Sequence, residues 1–149
     1  MPTYTTYASS GTLSPEQKHK IAKEVTRIHY ELTDAQTFFA QVMFVDVPDG
    51  NWYTGGAIRD EKQIFVHGQI RGGRSLETKQ AMINQIVDAV SGVTSLPRNL
   101  IWVYILELEP LLMAEYGHIL PKPGNEDAWF AELPPEDRAL MESVGARSS

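Results

Sequence analysis

Three groups in this 149-residue chain have the types and spacing to do chemistry. The first is Pro2. Removal of Met1, expected ahead of a small residue, would leave a free N-terminal secondary amine, which no other residue type offers. That amine has no backbone N–H to satisfy, its ring fixes its direction, and neighbouring groups can move its pKa into a catalytic range. A Met-Pro start alone is an ordinary frayed terminus, so Pro2 takes its meaning from the rest of the chain. The second group is Arg71-Gly72-Gly73-Arg74. Arginines three apart at the start of a helix bring two planar forks to a helix end that already favours an anion, and the fork matches a carboxylate. The paired glycines allow close backbone approach but do not make a dinucleotide or P-loop fingerprint. The third is His29, at the edge of an apolar helical stripe, where the ordinary reading is a partly buried structural histidine.

These groups must be positioned by regular elements. Residues Tyr4 to Ala8 read as a first strand, followed by a turn at Ser9-Ser10-Gly11-Thr12. Ser14-Pro15-Glu16-Gln17 reads as a helix start, with Ser14 as N-cap, Pro15 at the first helical position and Gln17 closing a capping box. Ile21, Val25, Ile28 and Leu32 then recur at helical spacing. Leu32 to Thr37 is expected as a loop, Phe38 to Val47 as a second strand, and Trp52 to Asp60 as a short hairpin arm or irregular loop around Gly55-Gly56. Gln63 to Ile70 reads as strand three. A helix opening at Ser75-Leu76-Glu77 carries Met82, Ile83, Ile86, Val87 and Val90, and Leu100 to Leu108 reads as strand four, apolar enough to be covered on both faces. Leu111 to Tyr116 is expected as a helical turn, with short amphipathic helices at Asp127-Ala128-Trp129-Phe130 and Pro135 to Val144, and disorder from Gly145.

An internal repeat ties these elements together. Ser14, Glu16, Lys18, Ile21 and Val25 match Ser75, Glu77, Lys79, Met82 and Ile86 at one constant offset. Each half is a β-α-β unit that cannot cover its own sheet, so two halves sharing one four-stranded sheet is the economical solution. The expectation is a single α+β domain over 1–149, with halves at about 2–60 and 61–110 and an extension at 111–149. The extension carries Trp129 and Phe130 but little core of its own, which suggests packing on a sheet edge or a neighbouring subunit.

Composition narrows the function classes. The formal net charge of −6 argues against nucleic acid or an anionic membrane as partner. The absence of cysteine excludes disulfides, thiolate metal sites and a cysteine nucleophile. No apolar run approaches a membrane span and no signal peptide is legible, so a cytoplasmic protein is expected. His19, His29, His67 and His118 lack metal-ligand spacing, and no metal or organic cofactor is expected.

The chain resembles the tautomerase superfamily, and within it the cis-3-chloroacrylic acid dehalogenase group. The stretches that carry the likeness are Phe65-Val66-His67-Gly68, Arg71-x-Gly73-Arg74-Ser75, Ile101-Trp102-Val103-Tyr104, Glu115-Tyr116-Gly117, Pro121-x-Pro123-Gly124 and Trp129-Phe130, in the same order across nearly the whole chain. The resemblance implies a catalytic set of Pro2, His29, Arg71, Arg74, Tyr104 and Glu115. It also implies a homotrimer in which the tyrosine reaches an active site across a subunit interface. The loop after His29 departs from the group's pattern. Ala35 stands where the group has threonine and Phe39 where it has leucine. Relatives that vary this loop are more promiscuous and favour other unsaturated acids.

The activity so implied is addition of water to a small anionic 3-carbon unsaturated acid, a cis-3-haloacrylate or an acetylenic acid, giving malonate semialdehyde. Arg71, Arg74 and His29 would hold the carboxylate, Glu115 with Tyr104 would activate water, and protonated Pro2 would be the general acid. A phenylpyruvate-type keto–enol tautomerase would instead use neutral Pro2 as a base. Burial and the arginines push the amine toward that form, while an ionised Glu115 pushes it the other way. A non-catalytic trimeric binding protein is the third reading, since a fold does not dictate a function.

Overall fold

A computed structural model describes residues 2–146. The duplicated pattern folds as two β-α-β units. The first is β1 (Thr3–Ser9), α1 (Pro15–Thr33) and β2 (Gln41–Val47). A small hairpin of β3 (Tyr53–Thr54) and β4 (Ala57–Ile58) follows. The second unit is β5 (Ile64–Arg71), α2 (Leu76–Thr94) and β6 (Ile101–Leu108). The extension adds a hairpin of β7 (Ala114–Glu115) and β8 (His118–Ile119), then α3 (Glu126–Glu132) and α4 (Pro135–Ala146).

The four long strands form one sheet in the order β2-β1-β5-β6. Strands within a unit pair in parallel and the two units meet antiparallel, with Thr3 opposite Gln69 and Tyr4 opposite Gly68. Strand alternation sends Tyr4, Thr6 and Ala8, then Ile64, Val66 and Ile70, to the face covered by the helices. There they meet Ile21, Val25 and Ile28 of α1 and Met82, Ile86 and Val90 of α2 in one core. No helix among the described residues is long and apolar enough to cross a membrane.

Local signals in the sequence are realised atom by atom. Ser14 caps α1, with the Gln17 N–H donating to its Oγ at 3.2 Å and its own N–H donating to Gln17 Oε1 at 2.9 Å. The repeat extends to the helix ends. Asp34 and Ser95 both leave the helix in left-handed conformation, at φ 55° and 60°. Thr33 and Thr94 hydroxyls donate to the carbonyls of His29 and Val90, each at 2.7 Å.

Four local expectations need correction. β2 begins at Gln41, because Phe38 and Phe39 lie in a 3-10 turn (Thr37–Phe39). Their rings leave the sheet to build a second cluster with Leu120, Met113, Tyr116 and Trp129 of the extension. α1 continues to Thr33, shortening the expected loop. The segment after Glu109 makes only a brief 3-10 turn (Pro110–Leu112) before the β7–β8 hairpin. Tyr116 and Gly117 form its two-residue loop at φ 52° and 84°, both positive as a type I′ turn requires. Finally, α4 includes Gly145 and Ala146, while the rest of the terminus expected to be disordered lies outside the described residues.

Strand β6 is covered on one face within a single chain. Ile101 and Val103 are buried, whereas Trp102 (43% exposed), Tyr104 and Leu106 point outward. Met43 and Val45 on β2 are likewise exposed. The extension packs on the Thr37–Phe39 turn. Tyr116 donates its hydroxyl to the Phe38 carbonyl at 2.7 Å, Phe39 and Trp129 rings sit 6.0 Å apart, and Phe38 lies 6.1 Å from Phe130.

Candidate active site

Pro2 is buried immediately before β1, and its carbonyl accepts from the Gln41 N–H at 2.9 Å. Continuing the antiparallel register by one residue from Thr3–Gln69 sets Pro2 beside Ile70, next to Arg71. The nitrogen of Met1 lies outside the described residues.

Arg71 ends β5 and Arg74 directly precedes Ser75, the N-cap of α2. The arginines therefore lie on the strand-to-helix connection, where the sequence pattern had placed them at the helix start. Gly73 adopts φ 102° there, a left-handed conformation that suits glycine. Arg71 is only 6% exposed. Its Nη2 donates to Glu126 at the start of α3, and its Nε and Nη1 have no partner among the described residues. An ionised guanidinium with two unsatisfied buried donors is a costly arrangement that an incoming acceptor would relieve. Arg74 is half-buried. Burial and the Arg71 charge lower its pKa, against the opposing pull of Glu126.

His29 sits on the inner face of α1, 4% exposed, with Nδ1 2.8 Å from the Tyr4 hydroxyl. Tyr4 Oη is also 3.0 Å from Met82 Sδ. A phenol has one proton to donate, and imidazole nitrogen is a better acceptor than a thioether. Donation to Nδ1 leaves Nε2–H as the free donor of His29. Burial, reinforced by Arg74 and Arg71, depresses the His29 pKa to about 3, so the ring is neutral at neutral pH. Burial alone drives the Tyr4 phenol far above its ordinary value, keeping it protonated. Gly68 makes room for this arrangement. A Cβ there would lie 2.7 Å from Tyr4 Cε1 and from Ile105 Cδ1.

A cavity of about 690 Å³ opens between the α1–β2 loop, the arginine-bearing connection and the extension. Its lining includes Ala35, Phe39, Arg71, Arg74, Glu126 and Trp129. Both positions at which the α1–β2 loop departs from the resembled pattern thus face this space. Neither Pro2 nor His29 forms part of the lining, although His29 is close enough to both arginines for their charges to act on it.

Two residues of the expected set stand apart. Glu115 is half-buried on β7. Its hairpin packs through Met113 and Tyr116 on Phe38 and Phe39, at the end of the sheet that holds Pro2. Tyr104 is 53% exposed on the outer sheet face, opposite His67, with its ring 5.0 Å from Phe65. It borders a separate hollow of about 340 Å³ together with Tyr7, Trp52, Tyr53 and Trp102. One chain therefore gathers Pro2, His29, Arg71 and Arg74, brings Glu115 toward the same end and leaves Tyr104 on the opposite face. Sequence reasoning missed Tyr4 and Glu126. Strand alternation could have pointed to Tyr4, a polar phenol two residues after Pro2 on the same inward face, whereas no spacing links Glu126 to Arg71.

The matches to known proteins agree with this architecture. A family model described as "Putative oxalocrotonate tautomerase enzyme" matches residues 1–133. The crystal structure of N1, a member of the cis-3-chloroacrylic acid dehalogenase (cis-CaaD) family, is 31% identical. That match covers 95% of this chain and 99% of N1, with a TM-score of 0.90. Native Ps01740 is 28% identical over 76% of this chain and 99% of its own, with a TM-score of 0.72. A wild-type fused 4-OT described as a symmetric trimer shares the fold at 15% identity, covering 79% of this chain and 94% of its own with a TM-score of 0.72. No curated protein sequence matches the chain. The paired β-α-β units, the full-length family match and the near-complete overlap with N1 place this chain in the tautomerase superfamily, in its cis-3-chloroacrylic acid dehalogenase-like group.

Proposed function

We propose that this enzyme is a cofactor-independent hydratase and dehalogenase of 3-carbon unsaturated acids. Its family supports an activity of the hydratase, dehalogenase or tautomerase type. The observation that carries the finer reading is the Arg71–Arg74 pair, with two buried, unpartnered donors on Arg71, beside buried Pro2 and neutral His29. Arg71 and Arg74 would take the carboxylate of the substrate, and His29 Nε2–H would add one neutral hydrogen bond. Glu115 would remove a proton from water as its oxygen bonds to C3, and protonated Pro2 would deliver a proton to C2. An acetylenic acid so hydrated gives an enol that tautomerises to malonate semialdehyde. A 3-haloacrylate gives a halohydrin that loses halide and a proton to reach the same product. Tyr104 would come from a neighbouring chain of a homotrimer, consistent with its exposure on the outer face.

A second reading follows from the burial of Pro2. Desolvation and nearby guanidinium charge both favour a neutral amine, which would act as the base of a keto–enol tautomerase. The two readings separate in one assay series. Met-processed protein is mixed with propiolate, cis-3-chloroacrylate and phenylenolpyruvate, and products are followed by proton NMR. Malonate semialdehyde from either C3 acid, abolished by Pro2→Ala and reduced at least 100-fold by Arg71→Ala, is the expected result. Ketonisation of phenylenolpyruvate with no product from the C3 acids would overturn it in favour of the tautomerase.

A further inference from the structure

We propose that Glu126 is a specificity-determining residue, the internal counter-ion that sets the arginine pair to accept a ligand with one carboxylate in preference to a dicarboxylate. The proposal rests on the carboxylate-site reading above and adds what that site discriminates.

The Arg71 and Arg74 guanidiniums bring two positive charges to the cavity wall. Glu126 is ion-paired with Arg71 through Nη2, and Arg74 makes no ion pair among the described residues. One positive charge therefore remains uncompensated at the pair, matched to one carboxylate. Asp34, Asp127 and Glu142 also line the cavity, so its wall is negative away from the arginine pair and disfavours a second carboxylate placed there.

Glu126 is held for this role. It is the first residue of α3, where its own backbone N–H supports the charged carboxylate. Burial favours the protonated acid, but hydrogen bonds from its own backbone, Arg71 and Gly124 outweigh it and hold the pKa below the ordinary glutamate value. The side chain is about one-third exposed, while its Arg71 partner is almost wholly buried. The pair thus sits at the boundary between core and cavity, with Nε and Nη1 of Arg71 left over. α3 itself is tied to β8 by Trp129, whose Nε1 donates to the Ile119 carbonyl at 2.9 Å. The extension therefore supplies the carboxylate that pairs with Arg71 of the second β-α-β unit.

Coulomb energy is linear in ligand charge, so removing one nearby negative charge helps a dianion by twice the logarithm it helps a monoanion. The test is calorimetric titration of the full-length, Met-processed protein with acrylate and with malonate at pH 8 and fixed low salt, where malonate is a dianion. Glu126→Gln is expected to tighten acrylate by about threefold and malonate by about tenfold, while Glu126→Asp keeps the wild-type ratio of the two affinities. Equal shifts for both ligands, or weaker malonate binding with Glu126→Gln, would show that Glu126 only holds α3 in place, and the proposal would fall. Acrylate binding that Arg71→Gln leaves unchanged would instead overturn the carboxylate-site reading itself. The titration needs no turnover, so the charge-setting role stands or falls separately from which C3 acid is converted.

Discussion

At the scale of single residues, the site depends on which groups are charged. Two guanidiniums stand near a histidine that burial has made a poor base. In the proposed site that combination would bind an anion without a third positive charge, and it makes the fold sensitive to acid. An unfolded histidine titrates near 6.5, whereas His29 in the fold titrates near 3. Between those values the unfolded chain binds the extra proton, so stability is full above pH 6.5 and declines as pH falls through the window. Replacing His29 with Gln removes this contribution. Urea denaturation at pH 7 and pH 5 should show the wild type losing more stability on acidification than His29→Gln, by up to about 1.4 kcal/mol per pH unit. Equal losses would mean that His29 is not buried as a neutral ring. Pro2 and the arginine pair drew notice in the sequence by residue type and spacing, whereas His29 read as an ordinary structural histidine until the family resemblance implied a role for it. The Tyr4 hydroxyl that directs His29 was not legible there, because it depends on where α1 crosses the sheet.

At the scale of elements, each site residue is placed by a local device. The capping box starts α1 and so sets the helical phase that turns His29 inward. The strand-to-helix connection at Gly72-Gly73 brings the arginines together, with the Gly72 N–H donating to the Leu108 carbonyl at 2.8 Å. Gly68 clears the space for the Tyr4 ring. Gly68→Ala should force the ring and Ile105 apart and destabilise the protein by about 1–3 kcal/mol, as overpacking does. The same variant should shift the His29 imidazole signals in a nitrogen-15 NMR spectrum. Unchanged stability and unchanged signals would mean the sheet absorbs the methyl group. The caps, helical stripes and strand alternation were legible beforehand because they repeat with a fixed period over neighbouring residues. The start of β2 was misplaced because Phe38 and Phe39 have strand-like composition but serve the contact with the extension.

At the scale of the molecule, one chain leaves an apolar outer sheet face with Met43, Val45, Trp102 and Leu106 exposed. A face of that kind marks an interaction surface, and the proposed homotrimer would cover it. The trimer makes a specific prediction for Tyr104. Pro2→Ala and Tyr104→Phe chains, each inactive or weak alone, should complement each other when co-expressed. If Tyr104 serves a neighbour's site, equal mixing restores intact sites at about one-quarter of the wild-type number. Mixed assemblies with no more activity than the parents would place Tyr104 in its own chain's chemistry or outside it.

The sequence by itself determined the duplicated β-α-β pattern, the helix starts and the chemically unusual residues. Those features are written in local spacing and in residue type, and short-range physics is enough to read them. Only the tertiary structure decided which of them meet. It paired Arg71 with Glu126 across 55 positions of chain and Tyr4 with His29 across 25, and it set Tyr104 on the face away from the helices. Such meetings depend on how the sheet, the helices and the extension pack, and non-local packing leaves no period in the sequence to read.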